Sequence, residues 1–110
     1  MENFEWANEL SCAVTVCDCE GVVLWQNIKA VKTFESYGDL IGKNLKDCHA
    51  AKSWEVIHEM IQNGTSNSYT IEKNGIKKLI HQTPWYKEGG VAGLVEFSIE
   101  LPLEIPHFKR

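Results

Sequence analysis

The segment "SYTIEKNGIKKLIHQTPWY", residues 68–86, carries the strongest structural signal in the chain. Asn74-Gly75 stands between two strand-like runs, and these two residues readily adopt the positive φ angles that a two-residue hairpin turn requires. The next segment, "KEGGVAGLVEFSIEL" over residues 87–101, adds a second turn and a further strand. The C-terminal half is therefore predicted to be a three-stranded antiparallel meander.

A second hairpin is predicted nearer the N-terminus, in "SCAVTVCDCEGVVLWQN", residues 11–27. Its two β-rich runs are separated by Asp18-Cys19-Glu20-Gly21, a sequence typical of a tight turn. After it, "IKAVKTF" (28–34) and "YGDLIG" (37–42) are each predicted to form a short helical piece that lies on the sheet.

One longer helix is predicted over residues 51–64, "AKSWEVIHEMIQNG". Trp54, Ile57 and Ile61 recur at helical spacing, and Asn63-Gly64 is a typical C-terminal stop. The predicted order is thus two strands, small helices, one longer helix and three strands. This order indicates an α+β fold, with a sheet that has helices packed over one face.

Composition limits the class of protein. The 110 residues are 44% hydrophobic and 24% charged, which predicts a single globular domain over residues 1–110. The net charge of -4 argues against a nucleic-acid partner. No window approaches the about 18 apolar residues of a membrane span, and "MENFEWANEL" lacks the basic start of a secretory signal, so we expect a cytoplasmic protein with no membrane partner. Its four cysteines are then expected to be free thiols.

Three segments, in order, resemble PAS domains. The spacing Asp18-x-x-Gly21-x-Val23-Leu24-Trp25-x-Asn27 resembles the family's "D-x-x-G-x-I-x-Y-x-N" segment. "YGDLIGKNL" (37–45) resembles its "GY-x-x-ELIGK" segment, and "GVAGLVEFS" (90–98) resembles its last strand. The resemblance covers roughly residues 10–101, so it spans the predicted elements.

The resemblance implies a PAS fold, which is a five-stranded antiparallel sheet in the order 2-1-5-4-3 with helices cupped over one face to make a small-ligand pocket. On this basis residues 11–101 are the PAS core, residues 1–10 are an N-terminal cap helix and residues 102–110 are a C-terminal tail.

The subclasses of the family differ in their cofactors. Light-sensing PAS domains of the LOV type carry a flavin-reactive cysteine in "G-x-N-C-R-F-L-Q", and Leu45 stands at that position in "GKNLKD". Oxygen-sensing haem domains of the FixL type place their proximal histidine at a helix position that is Ser53 here. The cofactor is therefore unknown, with haem possible and flavin less favoured. His58 lies at the edge of the apolar stripe and is predicted to be a half-exposed surface residue.

The segment "NLKDCHAAKS", residues 44–53, resembles the "N-C-H-P-P-K-S" segment of PAS domains that a bacterial family fuses to a hemerythrin-like domain, with Ala50-Ala51 in place of the prolines. The functional interpretation places His49 at the pocket mouth, able to bind a ligand or coordinate an iron, with Ser53 one turn deeper. The structural interpretation is that Asp47 or His49 caps the helix and Cys48 is an apolar filler.

The residues expected to contact a ligand combine this segment, the stripe of the long helix and the second strand. They are His49, Ser53, Ile57, Met60, Ile61, Trp25 and Asn27. No metal site is predicted, except that His49 is the candidate iron ligand if a haem is bound.

The remaining chemical groups favour structural roles. Cys17 and Cys19 are expected to share one face of a strand, with Cys12 as a further candidate for the same group. Without a C-x-x-C knuckle, this spacing favours buried thiols over a zinc site. His81 and Trp85 are expected to pack or to lie at a solvent edge. No nucleophile and base set can be assembled, so the protein is predicted not to be an enzyme.

Two hypotheses of function follow. In the first, a stand-alone PAS sensory module binds an unknown small molecule or cofactor in its pocket and signals in trans to a protein partner. In the second, side chains such as Trp25, Phe34 and Met60 fill the pocket and the exposed sheet face binds another protein.

The two chain ends add expectations about assembly. Pro102 and Pro106 interrupt any continuous helix after the last strand, and we expect a complete chain without an output domain. Phe4, Ala7 and Leu10 would line one side of the N-terminal helix. This side is predicted to pack on its own sheet or on a second copy, and a symmetric homodimer is favoured.

Overall fold

The computed structural model describes residues 4–47 and 51–110. Within these ranges, the α-helices and β-strands follow the predicted order: β1 (Ala13–Asp18), β2 (Val23–Gln26), α1 (Ile28–Thr33), α2 (Ala51–Asn63), β3 (Asn67–Lys73), β4 (Ile76–Lys87) and β5 (Gly90–Glu100). Short 3-10 helices in the connections span Glu5–Ala7, Glu35–Tyr37 and Leu45–Asp47.

The strands form one antiparallel sheet in the order β2-β1-β5-β4-β3. The first and last strands are neighbours, with Thr15 opposite Glu96 and Cys17 opposite Leu94. The strand order implied by the resemblance to PAS domains, and the α+β class, are confirmed.

The β3–β4 hairpin is confirmed at the predicted place. Asn74 and Gly75 have φ angles of 53° and 78°, the left-handed conformations that a tight two-residue turn requires. The register runs from Lys73 opposite Ile76 to Asn67 opposite Gln82. Each strand therefore presents alternate side chains to the two sheet faces.

The inner face of the sheet, which we define as the face toward α2, packs against that helix. Ile57, Met60 and Ile61 of α2 are buried and form a core cluster with Cys17 and Leu94 of the sheet. The predicted helix over 51–64 is thus confirmed, and its apolar stripe faces the sheet as expected.

The outer face is the opposite side of the sheet, and it carries a second apolar cluster. Its members are Ala7, Val14 and Val16, with Phe4, Cys12, Trp25, Trp85, Val95 and Phe97 partly buried against them. The ring of Phe4 lies 5.6 Å from that of Trp25 and 5.7 Å from that of Trp85, measured between centroids. The N-terminal segment therefore covers part of this face.

Two predicted helical segments are shorter than expected. Residues 37–42 are not helical beyond Tyr37, because Gly38 and Gly42 both take left-handed φ angles. In the N-terminal segment, only Glu5–Ala7 forms a 3-10 turn among residues 4–10. The carbonyl of Ala7 accepts a hydrogen bond from the Asn27 amide at 2.9 Å, which ties this turn to the sheet.

Among the described residues, no helix has the length and apolar character needed to cross a membrane.

Candidate functional site

A cavity of about 270 Å³ lies between the inner face of the sheet and the helical segments that follow β2. Its floor consists of side chains from β1, β2 and β5, and its walls come from residues 34–45 and from α2. The residues that line it are Thr15, Cys17, Gln26, Phe34, Tyr37, Leu40, Leu45, Ile57, Leu94 and Glu96.

The floor of the cavity is part of a polar row that crosses four strands. Gln26 Nε2 donates to Thr15 Oγ1 at 3.1 Å, and Gln82 Nε2 donates to Glu96 Oε2 at 2.8 Å. The two pairs are adjacent because Thr15 is the register partner of Glu96. Buried polar side chains are stabilised when they are hydrogen-bonded. These two pairs therefore stabilise polar groups on the cavity floor although the walls are largely apolar.

Glu96 is the acidic group of this floor. It is half-buried, and within the described part of the chain its carboxyl group accepts one hydrogen bond, from Gln82. No lysine, arginine or histidine nitrogen of the described residues forms an ion pair with it. A partly desolvated carboxylate without a cationic neighbour favours a hydrogen-bond donor or a cation as its partner.

Cys17 contributes a neutral thiol to the floor. Burial raises the pKa of this thiol to about 11, so it is protonated at neutral pH. Cys19 is partly buried, donates its thiol to the carbonyl of Val91 at 3.3 Å, and has a pKa that burial also raises. These environments make the two thiols poor nucleophiles and poor thiolate ligands.

A second recess adjoins the cavity on the far side of Ile57. Its lining residues are Ser53, Val56, Ile57, Asn67, Tyr69 and Gln82. The pKa of Tyr69 is raised by burial and further by the charge of Glu96. Glu96 of the polar row therefore lies near this recess.

The predicted ligand-contact residues fall into three places. Ile57 lines the cavity and Ser53 lines the adjoining recess, whereas Met60 and Ile61 pack in the core cluster. His49 lies outside the described residues, so its predicted role stays a prediction.

Trp25 does not line the cavity. It lies opposite Val16 on β1, and both side chains are on the outer face, where Trp25 packs against Phe4. The strand alternates its side chains, so the neighbouring Gln26 takes the inward position instead. The proposed filling of the pocket by Trp25 is therefore wrong, while Phe34 is part of the cavity wall.

Asn27 holds the backbone together beside the cavity rather than lining it. Its fully buried side chain accepts hydrogen bonds from Val14 N and Ala30 N, at 3.0 and 2.9 Å. It donates to the carbonyls of Ala7 and Cys12, both at 2.9 Å. With every side-chain group used, Asn27 caps α1 and fixes the N-terminal segment.

The polar row was not predicted from the sequence. Thr15, Gln26, Gln82 and Glu96 all stand at inward positions of strands, where an apolar residue is the usual choice. The signal was present in the alternation of β1, because Val14 and Val16 share one face and Thr15 then points to the other.

The described lining does not fit a haem. It supplies no imidazole, the thiol of Cys17 is protonated, and His58 is an exposed residue whose ring lies 5.9 Å from that of Trp54. It does not fit cysteinyl-flavin chemistry either, because Leu45, which replaces the reactive cysteine, lines the cavity as an apolar side chain.

Other candidate groups have structural surroundings. Nδ1 of His81 lies 2.6 Å from Oγ of Ser68 on the neighbouring strand. Among residues 4–47 and 51–110, no group of three or more histidine, cysteine or acidic side chains could hold a metal ion. The cavity with its polar floor is therefore the candidate functional site.

No protein-family model matches the sequence, and no curated protein is significantly similar to it. Solved structures do match. The Aer2 receptor of Vibrio cholerae, described as a dual PAS-haem oxygen sensor, superposes with a TM-score of 0.67 at 13% identity, covering 84% of this chain and 96% of that chain. The PAS domain of histidine kinase ThkA gives 0.67 at 16% identity, covering 82% and 99%.

The VqmA protein of Vibrio cholerae, described as a dimer and a LuxR-type receptor, gives a TM-score of 0.69 at 19% identity. The match covers 97% of this chain and 56% of that chain. Another VqmA structure, described as bound to DPO, gives 0.71 at 18% identity and covers 89% and 55%. At these identities the likeness shows the fold, so this chain has the fold of a PAS domain.

Proposed function

We propose that the protein is a PAS sensory module that binds a small organic molecule in its cavity and passes the signal to a protein partner in trans. The observation that carries this proposal is the cavity itself, in which apolar walls enclose a floor of hydrogen-bonded polar groups. This combination is typical of small-molecule sites, where apolar contact supplies affinity and a few polar groups fix orientation.

The similar structures support the sensory role by analogy of fold. Aer2 is described as a dual PAS-haem oxygen sensor and VqmA as bound to DPO, so proteins that contain this fold include a sensor and a ligand-bound receptor. The analogy alone assigns no ligand here, because function depends on the residues of the site.

The sheet offers a route from the cavity to the outer face. Glu96 on the cavity floor lies between Val95 and Phe97, which belong to the outer-face cluster. Thr15 stands in the same way between Val14 and Val16. A ligand that shifts the backbone at Glu96 or Thr15 moves outer-face side chains, and a partner that binds there distinguishes the two states.

The proposal assigns no catalytic step. The described cavity lining holds one carboxyl group and a protonated thiol, without the imidazole or amine that would activate a nucleophile. We also place the module in the cytoplasm, because Cys12, Cys17 and Cys19 are free thiols, which suits a reducing compartment.

A cavity-filling variant tests this function. Leu40 is buried in the cavity wall, so Leu40→Trp should occupy the space, whereas Leu24→Trp adds the same bulk at an exposed strand position outside it. The test is a thermal-shift screen of fragment-sized molecules, in which a hit is a molecule that raises the Tm of the parent. Each hit should also raise the Tm of Leu24→Trp but not that of Leu40→Trp. If Leu40→Trp does not fold, Thr15→Leu serves as the second cavity variant.

Two results would overturn the proposal. Hits that still raise the Tm of a folded cavity variant place the ligand elsewhere, and a screen without hits in the parent removes the evidence for a ligand site.

The second candidate is a ligand-free interaction module that forms a symmetric homodimer. The observation that favours it is the apolar outer face, where Trp6 remains 69% exposed beside the Phe4, Trp25 and Trp85 cluster. Exposed aromatic groups next to an apolar patch are typical of protein interfaces.

A further inference from the structure

We propose that the ligand of this cavity is a small organic cation, with an ammonium or amidinium group on a compact apolar body. This inference rests on the proposed function, because it names the chemical class of ligand for the same cavity.

The charge of the floor is the first argument. Glu96 presents a carboxyl group to the cavity, and the described lining contains no lysine, arginine or histidine. Its one hydrogen bond, from Gln82, uses Oε2. A carboxylate accepts several hydrogen bonds, so Glu96 retains capacity for a donor from a ligand. Hydrogen bonds between a cationic donor and a carboxylate are the strong ones, and an anionic ligand would meet repulsion instead.

The aromatic wall is the second argument. Phe34 and Tyr37 both line the cavity, with ring centroids 6.4 Å apart and planes tilted by 50°. Aromatic faces attract ammonium groups, and cages of such rings recognise alkylammonium ligands. A carboxylate on the floor and aromatic rings in the wall provide the two contacts that an organic cation needs.

Size is the third argument. The volume of about 270 Å³ lies just below the roughly 300–1,000 Å³ of sites that hold drug-sized ligands. The apolar residues Leu40, Leu45 and Leu94 surround the remaining space. The cavity therefore suits a compact amine rather than an extended polyamine.

Three probes of nearly equal size and different charge test the inference. They are benzylamine, benzyl alcohol and benzoate, each titrated into the isotope-labelled protein at neutral pH and followed by NMR chemical shifts. Benzylamine should bind at least about tenfold more tightly than benzoate, the effect of one charge-assisted hydrogen bond. Its binding should shift the backbone amide signals of Thr15 and Glu96.

Charge-removing variants supply the matched control. Glu96→Gln should weaken benzylamine binding by about tenfold and change benzyl alcohol binding by less than about twofold. Glu100→Gln removes the same charge from the same strand at an exposed position that pairs with Lys29, and it should leave both affinities unchanged.

Three results would contradict the cation class of ligand. Tighter binding of benzyl alcohol or benzoate in the cavity overturns the cation class while the proposed ligand-binding function stands. Equal loss of benzylamine affinity in Glu96→Gln and Glu100→Gln shows a general charge effect and also overturns it. If none of the three probes binds, the cation class fails, and the cavity-filling screen decides separately whether the cavity binds any ligand.

Discussion

The indole ring of Trp54 lies directly over Gly21, so that a Cβ atom added to Gly21 would stand 2.5 Å from Cη2 of Trp54. Trp54 belongs to α2, and Gly21 belongs to the turn between β1 and β2. This contact fixes the helix against the first hairpin. It thereby holds one wall of the cavity in place over the floor.

Gly21→Ala should lower the free energy of unfolding by about 2–4 kcal/mol. The residue has a left-handed φ of 84°, which costs an alanine about 1–2 kcal/mol, and the clash with Trp54 adds an overpacking term of similar size. Urea unfolding monitored by circular dichroism measures the change. Gly42→Ala is the matched control, because Gly42 has a φ of 86° and no atom near its missing Cβ. Equal losses in the two variants would show that the Trp54 contact contributes nothing.

Asn27→Ala should destabilise the protein by about 3–5 kcal/mol, because it removes four hydrogen bonds and leaves buried backbone groups unpaired. The same unfolding experiment applies. Asn44→Ala serves as the comparison, since Asn44 makes two exposed hydrogen bonds, to Glu20 O and from Lys46 N, and should cost about 1 kcal/mol. If Asn27→Ala lowers the free energy of unfolding by no more than Asn44→Ala does, Asn27 does not hold the N-terminal segment and α1 in place.

The pKa of Cys17 predicts a dependence of stability on alkaline pH. Burial raises this pKa from 9.0 to about 11, so the unfolded chain loses the thiol proton at a lower pH than the folded chain. The contribution is therefore fully present below pH 9 and is lost as the pH rises through 11, by about 3 kcal/mol in total.

The comparison of the parent with Cys17→Ala isolates this effect. Unfolding free energies measured from pH 8 to pH 11 should fall more steeply in the parent, because the variant lacks the titrating group while other ionisable groups remain. Parallel curves for the two proteins would contradict a buried, protonated thiol.

Self-association through the outer face is a separate expectation. If a symmetric dimer forms there, Trp6→Glu should weaken it at least tenfold, because a charge would be placed in an apolar interface. Sedimentation velocity over a range of concentrations measures the change. Tyr86→Glu is the control, because Tyr86 is also an exposed aromatic residue but, unlike Trp6, does not lie beside the outer-face cluster. A parent protein that remains monomeric at high micromolar concentration would refute the dimer.

Local signals in the sequence were sufficient to predict the strands and the long helix in their order along the chain, whereas the spatial order of the strands in the sheet came from the resemblance to PAS domains. The left-handed turn at Asn74-Gly75 and the spacing of Ile57 and Ile61 are set by neighbouring residues. The short segments were predicted less well. Whether residues 37–42 form a helix depends on the left-handed φ angles of Gly38 and Gly42, and not on the apolar residues between them.

The site was predicted only in part. Ile57 could be found from the helical stripe, but Trp25 and Asn27 were chosen without deciding which sheet face or backbone groups they contact. The pairs Gln26 with Thr15 and Gln82 with Glu96 join residues 11 and 14 positions apart. Such pairs depend on strand register, and a single inward glutamate in β5 could not be distinguished from a solvent-exposed one before the sheet was assembled.

The most direct test of ligand binding in the cavity is a methyl-labelled NMR experiment on the isoleucine and leucine side chains. A pool of fragment-sized amines, alcohols and carboxylic acids should perturb the methyl signals of Leu40, Leu45, Ile57 and Leu94, which line the cavity. It should leave those of Leu24 and Ile76, which are exposed and lie outside it, unchanged. Unchanged signals from the four cavity residues at millimolar fragment concentration would contradict the proposal that this PAS fold detects a small molecule.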